Sequence, residues 1–262
     1  MRILIIRHAE PDYVHDSLTD KGEREAALLA ERLSRIPISA FYISTLGRAQ
    51  KTAIPTLRKC GLAWPDGAPA SQKISSQADV PVCECDWLQE FPHLIVRPDK
   101  PEKISIPWDW LPQDWQKEDA YYDREKWHDT KVMQDGKVQE AYNKVIDSFD
   151  AVLASHGYVR NGRYYQAVRP NRNVLAFFCH FGVECVLLSH LLDTSPMVLW
   201  HFTCALPSSV TSLYTEERRN GIAIFRMNAF GDLSHLYAGG EEPSFAARYC
   251  ETWDNMEERH DD

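Results

Sequence analysis

Two apolar runs in this chain end the same way, and that repetition constrains the fold more than any other feature of its 262 residues. Ile3-Leu4-Ile5-Ile6 runs into Arg7-His8, and Val174-Leu-Ala-Phe-Phe-Cys179 runs into His180. A strand-length run without polar alternation suits a strand covered on both faces, and such strands belong to parallel sheets. Ligands of parallel sheets sit in the crevice beyond the carboxyl ends of the strands. Two runs that both finish in histidine therefore bring His8, Arg7 and His180 to one crevice if the strands are neighbours.

The connecting segments fit that frame. Arg2–Arg7 is read as a strand. Thr19–Ile36 is a helix with an apolar stripe at Ala26, Leu29, Ala30, Leu33 and Ile36, capped by Thr19 or Asp20. Ala40–Ser44 is a second strand and Gly47–Cys60 a second helix, stopped by Gly61. A Pro/Gly/Ser-rich loop, Trp64–Ser76, leads to a third strand at Pro81–Asp86. Val138–Ser155 reads as an amphipathic helix. Tyr158–Tyr165 reads as a hairpin turning at Asn161-Gly162. Asn173–Cys179 is a further strand, a helix follows from about Gly182 to Leu192, and Val210–Thr215 and Ile222–Arg226 are two more strands. Short connections between alternating strands and helices predict an α/β three-layer sandwich around a mostly parallel central sheet. Residues 92–130 break the rhythm with five prolines and four tryptophans (Trp108, Trp110, Trp115, Trp127), which predicts an ordered, aromatic-rich insertion. Two readings of it stand side by side: a cap over the crevice that helps select substrate, or a satellite core.

Composition matters here for what it excludes. No apolar stretch approaches the roughly 20 residues of a membrane span, and the N-terminus lacks the apolar core of a signal peptide. The expectation is a cytoplasmic protein. The seven cysteines include no paired zinc spacing, and Cys83-Glu84-Cys85 reads as packing in a reducing compartment. Net charge is −9, which disfavours non-specific nucleic-acid binding. Residues 239–262 carry −6 of it, as eight acids against Arg248 and Arg259, so they form an acidic tail expected to be solvated and partly mobile. A single domain over residues 1–238 precedes it.

Within the crevice a third contributor is Ser44-Thr-Leu-Gly-Arg48, which opens the second helix and places Arg48 beside free helix amides. Two arginines, two histidines and a helix start suit a tetrahedral dianion. Four segments, in order, resemble the histidine phosphatase (phosphoglycerate mutase-like) superfamily. Arg7-His8-Ala9-Glu10 resembles its Arg-His-Gly-Glu signature, and Leu18-Thr19-Asp20-Lys21-Gly22 its Leu-Thr-x-x-Gly. Ser44-Thr-Leu-Gly-Arg48-Ala49-Gln-Lys-Thr52-Ala53 resembles its arginine motif, and Phe178-Cys-His180-Phe-Gly182 its second histidine turn. The resemblance covers about 1–90 and 138–226.

The resemblance implies that His8 is the nucleophile that becomes phosphohistidine, and that Arg7, Arg48 and His180 bind the phosphate. The proton donor in one part of the family is an Asp directly after the second histidine, and here that residue is Phe181. In the other part it is a Glu after the third strand. Trp87-Leu88-Gln89-Glu90 resembles that pattern, making Glu90 the first candidate, with Glu84 and then Asp86 behind it. Ala9 replaces the usual Gly, Thr45 a usual Pro, and Val14 a frequent phosphate-binding Asn whose place His15 can take. The implied activity is metal-independent hydrolysis of a small phosphomonoester, without cofactor, nucleic-acid or membrane partner. His180-x-x-x-Glu184 lacks a third metal ligand, so Glu184 is read as structural. A phosphoglycerate mutase-type transferase is the runner-up, with Arg160, Arg163, Arg169 and Arg172 as the possible grip on a second phosphate. A non-catalytic phospholigand-binding protein on the same fold is the third reading.

Overall fold

A computed structural model of the chain describes residues 1–63, 74–75, 80–91, 93–245, 248–258 and 260. The first strand, β1 (Arg2–Arg7), is followed by α1 (Asp20–Leu33), β2 (Ala40–Ser44), α2 (Gly47–Lys59) and β3 (Pro81–Cys85). After the insertion come α3 (Val138–Ser155), β4 (Tyr158–Asn161), β5 (Tyr164–Ala167) and β6 (Val174–Cys179). The chain continues through α4 (Phe181–Leu192), α5 (Pro196–Phe202), β7 (Val210–Arg219), β8 (Ile222–Asp232) and α6 (Ser234–Gly239). The loop read at Trp64–Ser76 lies outside the described residues except for Ile74–Ser75, which pair antiparallel with β3.

One sheet runs in the order Ile74–Ser75, β3, β2, β6, β1, β7, β8, β5, β4. Its core is parallel: β1 pairs β6, β6 pairs β2 and β2 pairs β3. Beyond β1 every pairing is antiparallel, so the sheet is parallel only in its site-bearing half. Strands β7 and β8 run several residues past the expected ends at Thr215 and Arg226. The end of β7 and the start of β8 leave the covered sheet as a ribbon whose charged residues, such as the pair Arg226 and Glu216, hide a strand from an apolar pattern, while β8 past Arg226 runs back beside Val210–Leu213.

Alternation along β1 divides its side chains between two cores, as a period of two requires. Leu4 and Ile6 pack with Leu29 and Leu33 of α1 and Ala53 and Leu57 of α2. Ile3 and Ile5 face the other way, toward Phe149 of α3 and Val183 and Leu187 of α4. Each such buried side chain contributes roughly 1.5–3 kcal/mol relative to exposure. The result is the expected three-layer arrangement. Register puts Arg7 opposite Cys179, so His8 and His180 leave adjacent strands side by side.

The insertion packs on α5 through Trp200, whose ring lies 5.6 Å from Trp108, 5.9 Å from Trp127 and 5.5 Å from Phe91. Arg97, with no exposed surface, ties the segment together by donating to the Asp109 carbonyl at 2.7 Å and pairing with Asp99. Its tryptophans are core residues, and Trp108 alone of them reaches the crevice region. The acidic end is exposed over residues 252–257, but its first part is anchored to the domain. Glu241 pairs with Lys21 and Arg24 of α1, and fully buried Ser244 donates to Glu10. Tyr249 lies 5.5 Å from the Phe181 ring. The reason is local complementarity: basic residues of α1 and the Phe181 ring of α4 give this acidic segment partners on the domain.

Candidate active site

His8 stands one residue past β1, where its amide donates to the Cys179 carbonyl and its carbonyl accepts from Ser208 N. Its Nδ1 lies 2.8 Å from the Ala9 carbonyl. A carbonyl only accepts, so the proton is on Nδ1 and Nε2 carries the lone pair. Burial, and then the positive charges of Arg7 and Arg48, hold the ring well below the usual histidine range, against the Ala9 hydrogen bond. His8 is therefore neutral at pH 7. His180 lies with its ring 5.0 Å from that of His8, and Ser44 Oγ is 2.8 Å from its Nε2. Burial and the neighbouring His8, Arg48 and Arg7 keep it neutral as well.

The arginines are aimed by acceptors behind them. Arg7 Nη1 donates to the Ala205 carbonyl at 2.5 Å, and its guanidinium sits 5.5 Å from the Phe181 ring. Arg48 Nη1 donates to Asp16 Oδ1 at 2.6 Å, while Asp16 Oδ2 accepts the Gly47 amide at 2.6 Å. Both Nε atoms are buried without a hydrogen-bond partner. Unsatisfied guanidinium groups beside a helix start are the donors an oxyanion would use.

The motif residues between these groups have mechanical jobs. Thr52 Oγ1 accepts the Ala9 amide at 2.9 Å and donates to the Arg48 carbonyl at 2.7 Å, so it clasps the histidine turn to α2. Thr19 caps α1 at Gly22 N and donates to Glu10 Oε1. A Cβ on Gly22 would lie 2.2 Å from the Glu10 carbonyl oxygen, so glycine lets α1 approach the histidine turn. Beneath that turn, buried Glu25 accepts the Glu10 amide at 2.8 Å, and burial pushes its carboxyl up to about 7.

Glu90 reaches the crevice from the loop after β3. Its Oε1 accepts Phe91 N at 3.0 Å and Gly182 N at 2.8 Å. Burial raises its carboxyl above the usual range, with Arg7 and the two amides pulling the other way. Because Oε1 accepts two amides, a proton on this acid belongs on Oε2. Glu84 instead accepts from Gln50 at 2.6 Å, and exposed Asp86 pairs with Lys144, so neither is turned to the histidines. Val14 and His15 are exposed, with His15 bound to Asp12, so neither supplies the missing Asn.

Three residues that the sequence reading did not single out matter here. Asp16 aims Arg48, and its left-handed backbone, φ 44°, is the one local signal it gives. The Ala205 carbonyl aims Arg7 from a distant loop and leaves no signal in the sequence. Gly182 is the third. A Cβ there would lie 2.3 Å from Trp108 Cη2 and 2.6 Å from Glu90 Oε1, so only glycine admits both. A glycine in the first turn of an otherwise apolar helix was the available clue.

The four arginines considered for a second phosphate do not converge on this crevice. Arg160 donates to the Gly162 and His190 carbonyls, Arg163 pairs with Glu125, and Arg169 donates to the Ser155 carbonyl. Arg172 precedes β6 at the end opposite His180, about 20 Å away at the rise of an extended strand. Among the described residues no cluster of three or more His, Cys, Asp or Glu has metal-site geometry, and no helix is long and apolar enough to cross a membrane. All seven cysteines are free thiols.

Residues 3–66 match the family model of the histidine phosphatase superfamily, branch 1. No curated protein matches the chain. Similar solved structures include mycobacterial hydrolase 1, at 16% identity over 88% of this chain and 98% of that one, with a TM-score of 0.54. YhfR from Bacillus stearothermophilus is 18% identical over 90% of this chain and 98% of its own, with a TM-score of 0.51. A mycobacterial glucosyl-3-phosphoglycerate phosphatase solved with VO3 is 18% identical over 87% and 98%, with a TM-score of 0.50. At these identities the structural likeness is one of fold. The family match over residues 3–66, the order of the motifs and the shared fold together support the histidine phosphatase superfamily.

Proposed function

We propose that this protein is a metal-independent phosphomonoester hydrolase that works through a phosphohistidine on His8, with Glu90 as proton donor. The observation that carries this reading is the tautomer of His8. Donation from Nδ1 to the Ala9 carbonyl leaves a basic Nε2 in a neutral ring beside two partly unsatisfied arginines. Nε2 attacks phosphorus, the P–O bond to the alcohol breaks, and Glu90 gives its proton to the leaving oxygen. The charge building on the equatorial oxygens is met by Arg7, Arg48, His180 and the start of α2. Glu90, now a carboxylate, takes a proton from water as that water attacks the phosphohistidine, and inorganic phosphate leaves.

The phosphatase named among the similar structures supports the reaction class, and the scattered arginines favour hydrolysis over transfer between two phosphate sites. The test is hydrolysis of an aryl phosphate in excess chelator, comparing wild type with His8→Ala. Turnover that survives chelator and vanishes in the variant is expected. Turnover retained in His8→Ala would overturn the mechanism, and none in either protein would favour a binding role.

A further inference from the structure

Through its first two turns, Phe181 to Leu188, helix α4 is apolar on every side except for one residue. Phe181, Val183, Cys185, Val186, Leu187, Leu188 and Leu191 are all buried, and among them sits Glu184, 1% exposed. The Thr211 hydroxyl of β7 approaches its carboxyl, and neither oxygen makes a well-formed hydrogen bond. A carboxyl buried with so little hydrogen bonding costs free energy that a leucine would not. Helical side chains lean toward the N-terminus, and Glu184 stands one turn after His180, its amide bonded to the His180 carbonyl. Across from it on β1 is Arg7, whose Nε has no hydrogen-bond partner and whose charge favours the ionised carboxylate.

We infer that Glu184 is a positioning residue for the phosphate pocket, setting the charge behind Arg7: it takes up a proton when a tetrahedral dianion binds and releases it when the pocket empties. The inference rests on the phosphate-binding reading of Arg7 and deepens it. Every group facing Glu184 is consistent with it. From β1 there is Arg7, and from β7 the Thr211 hydroxyl, which favours the ionised form. Glu90 opposes ionisation from the loop after β3. From β6, α4 and the loop before β7 come the thiols of Cys179, Cys185 and Cys204, of which the first two are held far toward the neutral form by burial. His180 is neutral. Burial places the Glu184 carboxyl at about 7, so it sits where a nearby charge can move it either way. A dianion adds negative charge, raises its proton affinity, and is bound more tightly by the protonated form, as linkage requires.

Sulfate is a suitable probe because its charge does not change between about pH 6 and 8. Calorimetric titration at pH 7 in two buffers of different ionisation enthalpy should give a fractional proton uptake for the wild type. Sulfate should bind more weakly at pH 8 than at pH 6, by about fivefold for one pKa unit of coupling and by about tenfold at most. Glu184→Gln should bind sulfate without that uptake and with a flat pH profile. Glu90→Gln should retain the uptake. Sulfate binding by wild type without proton uptake would overturn the inference, whatever the variants do. Uptake retained in Glu184→Gln, or lost in Glu90→Gln instead, would also overturn it. Failure of wild type to bind sulfate at all would overturn the phosphate-pocket reading, and the inference with it.

Discussion

The two walls of the crevice are built by opposite means. The wall of Arg7, His8, Arg48 and His180 is polar, and each side chain is held by a specific hydrogen-bond partner: Ala205 O, Ala9 O, Asp16 and Ser44. The wall of Glu90 is aromatic. Phe181, Trp108 and Trp200 surround the Glu90–Gly182 contact, and the Trp200 indole donates to the Gly182 carbonyl at 3.0 Å. Hydrogen bonds fix cations in place, whereas a dry wall raises the proton affinity of an acid. The comparison teaches that one crevice can hold a charge-gathering side and a proton-holding side because their surroundings differ.

Substitutions can break each wall separately, and His8→Ala carries the largest expected effect. It should lower aryl phosphate turnover by on the order of 10⁵-fold or more while leaving the melting temperature near wild type. Glu90→Gln should lower kcat by about 10²–10⁴-fold. The loss should be greater for alkyl phosphates than for nitrophenyl phosphate, whose leaving group needs less help from an acid. In wild type, ionisation of Glu90 removes the donor, so kcat/KM for alkyl esters should fall as pH rises through its raised pKa. An equal loss on both ester classes would count against Glu90 as the donor.

Gly182→Ala sharpens the comparison, because the added methyl meets Trp108 and Glu90 together. Overpacking of this kind costs about 1–3 kcal/mol. Denaturant unfolding should register that loss, and kcat should fall with KM nearly unchanged.

Glu25 tests the floor under the polar wall. Its carboxyl is near 7 folded against an ordinary 4.5, so the folded state holds the proton more tightly. Stability from this group is complete below about pH 4.5 and declines as pH rises toward 7. Glu25→Gln should therefore raise stability against denaturant at pH 8, by a few kcal/mol at most, and change little at pH 4.5. Asp16→Asn has the smallest expected effect. The amide oxygen still accepts from Gly47, but the ion pair with Arg48 goes, and Asp16 is 42% exposed. KM should rise a few-fold, corresponding to about 1 kcal/mol, with kcat preserved.

The polar wall was legible in the sequence because its parts lie next to strand ends and helix starts, where pattern and spacing speak. Arg7, His8, Arg48 and His180 follow from two apolar runs and one helix start. The aromatic wall was legible only in part. Glu90 rested on a short resemblance, and nothing local connects Trp108 to Gly182, which are 74 residues apart in number but in contact. Fold class followed from alternation, while the antiparallel flank was underestimated because β7 and β8 carry charge where they leave the covered sheet. The anchoring of the acidic end at Glu241 and Ser244 was hidden for a related reason. Composition reports how much charge a segment has, not that Lys21 and Arg24 stand ready to receive it.

That end has a consequence for the order in which the molecule can be completed. Ser244 meets Glu10 across 234 positions, so the residue two places after His8 waits for a partner made 234 residues later. During translation the Arg7–Glu10 turn is an early product with a late fastening. A nascent chain halted before Ser244 would carry the motif residues and the arginines, yet would leave the Glu10 carboxylate without that donor. Quality control that senses loose carboxylates and bare apolar rings would find both at this one place, with Phe181 still lacking Tyr249.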